Sequence, residues 1–305
     1  MPTGTAFNRS NYSGITPEVS SEILQKIQEE SAVMRLARRV TLPGAGLTIP
    51  MITGDPTAEW VAETGLKPVS DPQTSTKLMS AYKIAVIETF SDEFVRDAKA
   101  LYDALIARIP GALAKCFDNT VLGATDKPGD NFDNFANCTA QSLIPTSSHS
   151  TYDGLVAADT AISTAGGTLT GFALSAQARG ILLSAVDSTG RPLFVNNVSE
   201  GAVDRILGVA TYFNKGMYKA GTAGSSGTPA IVGIAGDWTQ AMYGTVEGVK
   251  VDLNNTGVVT RGTGTSATQV NLWQQNMIAV RAEIEVGFRA DTTMFNLLTG
   301  AVPTS

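Results

Sequence analysis

The chain has 305 residues, with 22 basic and 28 acidic side chains, 30 Gly and 2 Cys. Charged residues make up 16%, against roughly 25% in an average soluble domain, while 43% hydrophobic residues suffice for a core and exclude wholesale disorder. A net charge of −6 disfavours holding nucleic acid through phosphate neutralisation, and the sparse charge suits an assembly subunit whose surface is covered by partners.

No apolar run approaches the roughly 18–20 residues of a membrane helix, and residues 1–16 contain no apolar signal-peptide core. Cys116 and Cys138 make neither a disulfide framework nor a CxxC pair. The first dozen or so residues read as an extended polar arm. Thr16-Pro17-Glu18 then starts a helix, with Thr as N-cap, Pro in the first turn and Glu against the helix dipole. A second short helical segment follows Ser31 and stops before Pro43-Gly44.

Residues 47–90 read as a long hairpin excursion, with β-rich runs at 47–52 and 83–90 around a middle of Pro and Gly turns. So long an excursion inside a compact domain points to a functional or interface-bound segment. Ser91-Asp92-Glu93 caps a helical region of about thirty residues, which Pro110-Gly111 should kink or split. After a polar loop at 124–150, helices are expected at 152–164 and 175–186, with a strand at 171–174 between them and a turn at 187–190. Further strands are expected at 205–213, 229–236 and 249–253, and flexible loops at 221–228 and 260–268. The clearest strand signal is Ile278, Val280, Ala282, Ile284, Val286 and Phe288, alternating with Ala279, Arg281, Glu283, Glu285 and Arg289.

Chemistry-bearing constellations are sparse. His149 is the only histidine and sits in a Ser-rich loop without a nucleophile elbow. The Gly-rich tracts lack the lysine and the strand-to-helix context of a phosphate loop. Asp126, Asp130 and Asp133 do not have EF-hand spacing and read as a solvated loop. Trp60, Trp238 and Trp273 stand apart without basic interleaving, so they read as core or interface anchors. No cofactor or metal site is expected, and the residues alone describe a soluble, assembly-prone α+β protein.

Five segments, in this order and over nearly the whole chain, resemble the tailed-bacteriophage major capsid proteins with the Hong Kong-type shell fold. The first is Ala58-Glu59-Trp60-Val61-Ala62-Glu63 with Leu66-Lys67-Pro68-Val69-Ser70-Asp71, similar to the family's extended loop. The second runs from Lys83 through Ser91-Asp92-Glu93-Phe94 to Asp97, leading into the family's long spine helix at about 101–123. The third is Phe172-Ala173-Leu174-Ser175 and, after a helix, Asp187-Ser188-Thr189-Gly190-Arg191-Pro192-Leu193, a pattern of the axial domain. The fourth is Ile206-Leu207-Gly208-Val209 followed by Gly236-Asp237-Trp238. The fifth runs from Asn276-Met277-Ile278-Ala279-Val280-Arg281-Ala282-Glu283 to Met294-Phe295-Asn296-Leu297-Leu298, similar to the closing strand of the peripheral domain.

The resemblance implies an α+β phage major capsid fold. Residues 1–46 would be the N-terminal arm and first helices, and 47–90 the extended loop. Residues 91–150 with 269–305 would make a peripheral domain with its spine helix, and 151–268 the axial domain. Copies would form hexamers and pentamers of an icosahedral shell in the virion, assembled in the host cytoplasm around double-stranded DNA contacted weakly. Family members often carry a long N-terminal scaffolding segment where this chain has a short polar arm, which implies a separate scaffolding protein or, as the less favoured alternative, a sequence already trimmed; a portal and a decoration protein are the other implied partners. Trp60, Glu63 and Lys67 become interface candidates.

Some family members link themselves covalently, and by motif the lysine would be Lys67, the asparagine Asn276 and the assisting glutamate Glu283. Residues seven apart on a strand face opposite ways, so Asn276 and Glu283 of one chain would serve different junctions. The plain alternative makes Lys67 a loop lysine in an intersubunit ion pair. Two other readings compete with a phage shell. An encapsulin-type compartment would share the fold and hold enzyme cargo, and the polar arm argues against it. A soluble enzyme or carbohydrate-binding protein has no catalytic constellation behind it.

Overall fold

A computed structural model describes residues 25–28, 30–44, 46–54, 58–67, 69, 73–97, 105–146, 150–187, 189–194, 205–224, 227–262 and 267–303. The polar arm, the helix start at Thr16-Pro17-Glu18 and His149 lie outside the described residues.

In chain order the first elements are α1 (Ala32–Leu36), β1 (Arg38–Thr41), β2 (Leu47–Gly54), β3 (Gln73–Met79), β4 (Tyr82–Ser91), α2 (Asp92–Asp97) and α3 (Ile109–Leu122). They continue with β5 (Thr139–Ser142), α4 (Thr151–Thr164), β6 (Gly171–Leu174), α5 (Ala176–Ser184), β7 (Arg205–Ile206), β8 (Val209–Phe213), β9 (Ile231–Gly236) and β10 (Ala241–Thr245). The last are β11 (Lys250–Asn254), β12 (Val258–Arg261), β13 (Thr268–Asn271), β14 (Met277–Ala290) and β15 (Phe295–Thr299).

The first sheet is organised by β14. It pairs antiparallel with β4 along one edge, and with β11 and then β10 along the other; β1 adds parallel to β10. As the alternation predicts, Val280, Ala282, Ile284, Val286 and Phe288 are buried. They share a core with Ile109, Leu113, Phe117 and Val121, which recur every fourth residue along α3. Phe117 meets Phe288 edge-on at 6.1 Å. Each such side chain contributes roughly 1.5–3 kcal/mol by leaving water.

Pro110 lies in the first turn of α3, where its missing N–H costs no hydrogen bond, and Gly123 closes the helix at φ 81°. The helical region is split as the Pro-Gly pair suggests. The break falls at a turn at residues 107–108, ahead of the proline, and residues 98–104 lie outside the described residues. At the front of α1, the Ser31 side chain accepts from the Met34 N–H and donates to Asp118 of α3 at 2.5 Å. Asp118 also accepts from the Ala32 N–H, so a buried carboxyl ties the two helices together.

The second sheet has the order β5-β15-β9-β6-β8-β7. Phe172, Leu174, Ala235 and Leu298 face the core formed with α4 and α5, while Ala173, Ile234 and Leu297 face the first core. A sheet covered on both faces needs continuous apolar runs, which is why these strands do not alternate. Trp238 packs in the first core, against β6 of the second sheet. Its Nε1–H donates to the Gly171 carbonyl at 2.9 Å, and its ring meets Phe295 at 5.2 Å. At Gly236 a Cβ would sit 2.1 Å from the Phe295 ring, so the Gly236-Asp237-Trp238 motif is a packing requirement of this junction.

The structure corrects several sequence expectations. The hairpin partner of β2 is β3, not the run at 83–90, which instead lies along β14 as part of β4. The segment 205–213 is two strands joined by Leu207 (φ 51°) and Gly208 (φ 82°), the left-handed pair a tight hairpin turn requires. Thr260, Arg261 and Thr268, read as loop, close the β12–β13 hairpin. Sheet membership cuts across the boundaries drawn at 150 and 268. Strands β10 and β11 lie in the first sheet, and β5 and β15 lie in the second, because pairing follows register across the chain rather than adjacency in it. Asp133 is no solvated loop residue: it accepts from the buried Arg289 at 2.8 Å. Alternation puts Arg289 on the polar face, yet it is 8% exposed because its guanidinium turns in to Asp133 and the Leu78 carbonyl.

Candidate functional site

Strands β2 and β3 form a two-stranded sheet of their own. Eight residues of β2 carry the hairpin roughly 25 Å outward at about 3.3 Å per residue. Residues 58–67 and 69, around its tip, are all exposed. Trp60 is 105% exposed, Leu66 99% and Val69 89%, so three large apolar side chains stand in water together on one projection. A lone exposed apolar side chain needs no explanation, but a cluster on a protruding element marks a contact with another molecule. Glu63 and Lys67 are exposed on the same tip, and no hydrogen bond or ion pair joins Lys67 to another described residue.

Asn276 and Glu283 sit at the start and middle of the β14 region. Asn276 takes a left-handed backbone, φ 48°, just before the strand, and its carbonyl accepts from the Asp92 N–H at 2.9 Å. It lines an open pocket of about 570 Å³ with Asp92, Asn255, Leu272, Trp273, Gln274 and Met277, and Trp273 there is 73% exposed. Glu283 points to the outer face of the first sheet. Its carboxylate lies 3.5 Å from Lys83 and 3.8 Å from Arg281. Arg281 also pairs with Asp252, and Lys83 lies 3.4 Å from Glu285. The hydrogen bond to Glu285, then the charge of Glu283, hold the Lys83 ammonium above its ordinary pKa. Seven strand residues separate Asn276 from Glu283 by roughly 23 Å. One subunit therefore does not bring Lys67, Asn276 and Glu283 together.

Of the tryptophans, Trp238 is the core anchor, whereas Trp60 and Trp273 are exposed. Among the described residues no group of three or more His, Cys, Asp or Glu side chains is placed to hold a metal ion. Sequence reasoning missed the outer-face ion pairs around Glu283. The alternating charges of Arg281, Glu283 and Glu285 were the available signal, and only the register of β4 and β11 supplies their partners.

A layered body with a separate projecting hairpin and bare apolar side chains at its tip defines a subunit that completes its burial against other molecules. The phage capsid family matches residues 13–291. The probable major capsid protein gp17 of Mycobacterium phage L5 is 30% identical over 291 residues, covering 91% of this chain and 86% of that protein. The major capsid protein of Staphylococcus phage 80alpha is 24% identical, covering 93% and 84%. Among solved structures, one from Mycobacterium phage Adephagia superimposes with a TM-score of 0.70 at 19% identity, covering 90% of this chain and 91% of that one. The capsid of an empty GTA particle gives 0.61 at 14% identity, covering 90% of each. The chain belongs to the phage capsid family. It is a major capsid protein of the tailed-phage type, a structural subunit of an icosahedral shell.

Proposed function

We propose that copies of this chain form the hexamers and pentamers of a shell that encloses double-stranded phage DNA. The projecting hairpin of each copy would lie across its neighbour and bury Trp60, Leu66 and Val69 there. The observation that carries this is the fully exposed Trp60 at the tip of a hairpin that forms a two-stranded sheet of its own. In this reading the first sheet with α3 is the peripheral domain, and the second sheet with α4 and α5 the axial domain. The chain's −6 charge gives the inner wall little affinity for phosphate, so DNA would be held by enclosure. Assembly would take place in the host cytoplasm with a separate scaffolding protein, a portal and a decoration protein as partners.

The test is electron microscopy and sedimentation of the full chain expressed alone and with its scaffold. Closed icosahedral particles support the reading, and monomers under both conditions refute it. Trp60→Ala should leave the unfolding transition of the subunit unchanged and reduce particle yield.

A second reading adds a covalent link. Lys67 and Asn276 are both open to a neighbouring copy. In the link the neutral Lys67 Nζ would attack the Asn276 Cγ of a neighbour, a C–N bond would form, and ammonia would leave with the transferred proton. Glu283 is already paired with Lys83 and Arg281, so its service as the base needs these ion pairs to rearrange on assembly. Denaturing gels of particles decide it: ladders abolished by Lys67→Arg support the link, and free subunits alone refute it.

A further inference from the structure

The root of the projecting hairpin is held by a device that the hairpin's own pairing does not require. Gly244 and Gly287 stand opposite each other on β10 and β14. A Cβ at Gly287 would lie 2.6 Å from the Ser80 carbonyl and 2.8 Å from the Met79 Cγ, and one at Gly244 would lie 3.0 Å from the Met79 sulfur and from Leu42. The paired glycines thus leave a slot. Met79, the last residue of β3, and Leu42, ahead of β2, fill it and are 0% and 1% exposed.

Beside this slot Arg289 grips the main chain of the hairpin. Its Nε and Nη2 donate to the Leu78 carbonyl at 2.8 and 2.5 Å. Its Nη1 donates to Asp133 at 2.8 Å, and Nη2 to Asn131 at 3.0 Å. Asp133 in turn accepts from the Ala290 N–H at 3.2 Å and lies 3.6 Å from Lys77, whose Nζ donates to the Ala290 carbonyl. Asn131 reaches the other side of the root through Ser80. A planar guanidinium held on three sides fixes orientation as well as position, which a lysine ammonium cannot do.

We propose that Arg289 is a positioning residue for assembly: it sets the direction in which the β2–β3 hairpin leaves the body, and so where the tip meets the next copy. The hairpin is a lever of roughly 25 Å, so a tilt of about 10° at the root moves the tip by roughly 4 Å. That is a full van der Waals contact distance, enough to unseat Trp60 from any complementary surface. The inference rests on the reading of the hairpin as an intersubunit contact.

Arg289→Lys keeps the charge beside Asp133 and loses the fork. Compared with the wild-type full chain, it should retain a cooperative unfolding transition, cleave faster under limited proteolysis at the hairpin, and give at least tenfold fewer particles of uniform diameter. Asn131→Ala, which leaves the Leu78 contact in place, should fold and broaden the distribution of diameters. A folded Arg289→Lys variant with wild-type yield and diameter overturns the inference. Should Arg289→Lys fail to fold, uniform wild-type diameters from Asn131→Ala overturn it equally. Absence of particles from the wild-type chain both alone and with its scaffold refutes the assembly reading itself and is distinguishable from both results.

Discussion

Replacing Asp118 by Asn should remove one defined component of the pH dependence of stability. Asp118 is fully buried on α3, and burial outweighs the Ser31, Ala32, Val33 and Asn214 hydrogen bonds that favour its anion, so its pKa is pushed up from 3.8 to about 7. Between these values the unfolded chain releases the proton while the folded chain retains it. The group's contribution is therefore fully present below about pH 4 and is lost as the pH rises through about 7. At about 1.4 kcal/mol per pH unit, going from pH 5 to pH 8 should cost the wild-type subunit about 2 to 3 kcal/mol through this residue. An Asn at this position can donate to the Ser31 hydroxyl and accept from the Ala32 N–H, and it does not titrate. Urea unfolding of dissociated subunits at both pH values measures the quantity directly. The wild-type midpoint should fall from pH 5 to pH 8 by more than that of Asp118→Asn, which becomes the better tolerated form at pH 8. Parallel pH profiles for the two chains would refute the reasoning and place an ionised carboxylate at this junction throughout.

Trp238→Phe should destabilise the subunit by about 2–4 kcal/mol, since it removes the indole N–H bond to the Gly171 carbonyl and leaves a void in the first core; chemical denaturation reads the loss. Gly236→Ala should cost about 1–3 kcal/mol in the same assay, because its methyl group collides with the Phe295 ring. Burial pushes the Cys138 thiol up to about 12, whereas Cys116 is exposed on α3 and raised less. Maleimide at pH 8 should therefore label Cys116 in the folded subunit and Cys138 only after denaturant is added, as mass spectrometry of the peptides will show. Equal labelling of both in the folded chain would contradict the packing at residue 138.

What the sequence revealed depended on whether local pattern and tertiary role agreed. Strand β14 alternates because one of its faces packs in the core with α3 while Arg281, Glu283 and Glu285 on the other form ion pairs, so its core residues could be named in advance. The helices α4 and α5 were legible from their runs at 152–164 and 175–186, and Ser150 and Ser175 cap them by accepting from the Asp153 and Ala178 N–H groups. Strand β3 was not: Gln73–Met79 is mostly polar, with Ser75, Thr76 and Leu78 exposed, so the apolar run at 83–90 is the one the pattern pairs with β2. Strands β1, β5 and β10 are four or five residues long and gain their identity from partners far along the chain. For the candidate site, the sequence located the tip at Trp60, Glu63 and Lys67. It could not show that Glu283 already holds two cations, nor that Arg289 turns inward, since both facts depend on which strands lie beside β14.

The placement of β15 sets a schedule for biosynthesis. It lies between β5 and β9, and Thr299 donates to the Gln141 carbonyl 158 positions earlier in the chain. At roughly 5–20 residues per second, a ribosome needs roughly 8 to 30 s to travel that distance. Until it does, β5 has no strand to pair with in the second sheet, and Leu155, Ala158 and Ile162 of α4 lack one of the strands they pack on. A partly made chain is thus unable to present finished lateral surfaces, and neighbours on one messenger cannot join a shell while still tethered to their ribosomes. The same delay exposes apolar surface for many seconds, a long interval beside hydrophobic collapse, and makes the nascent subunit a client for chaperones.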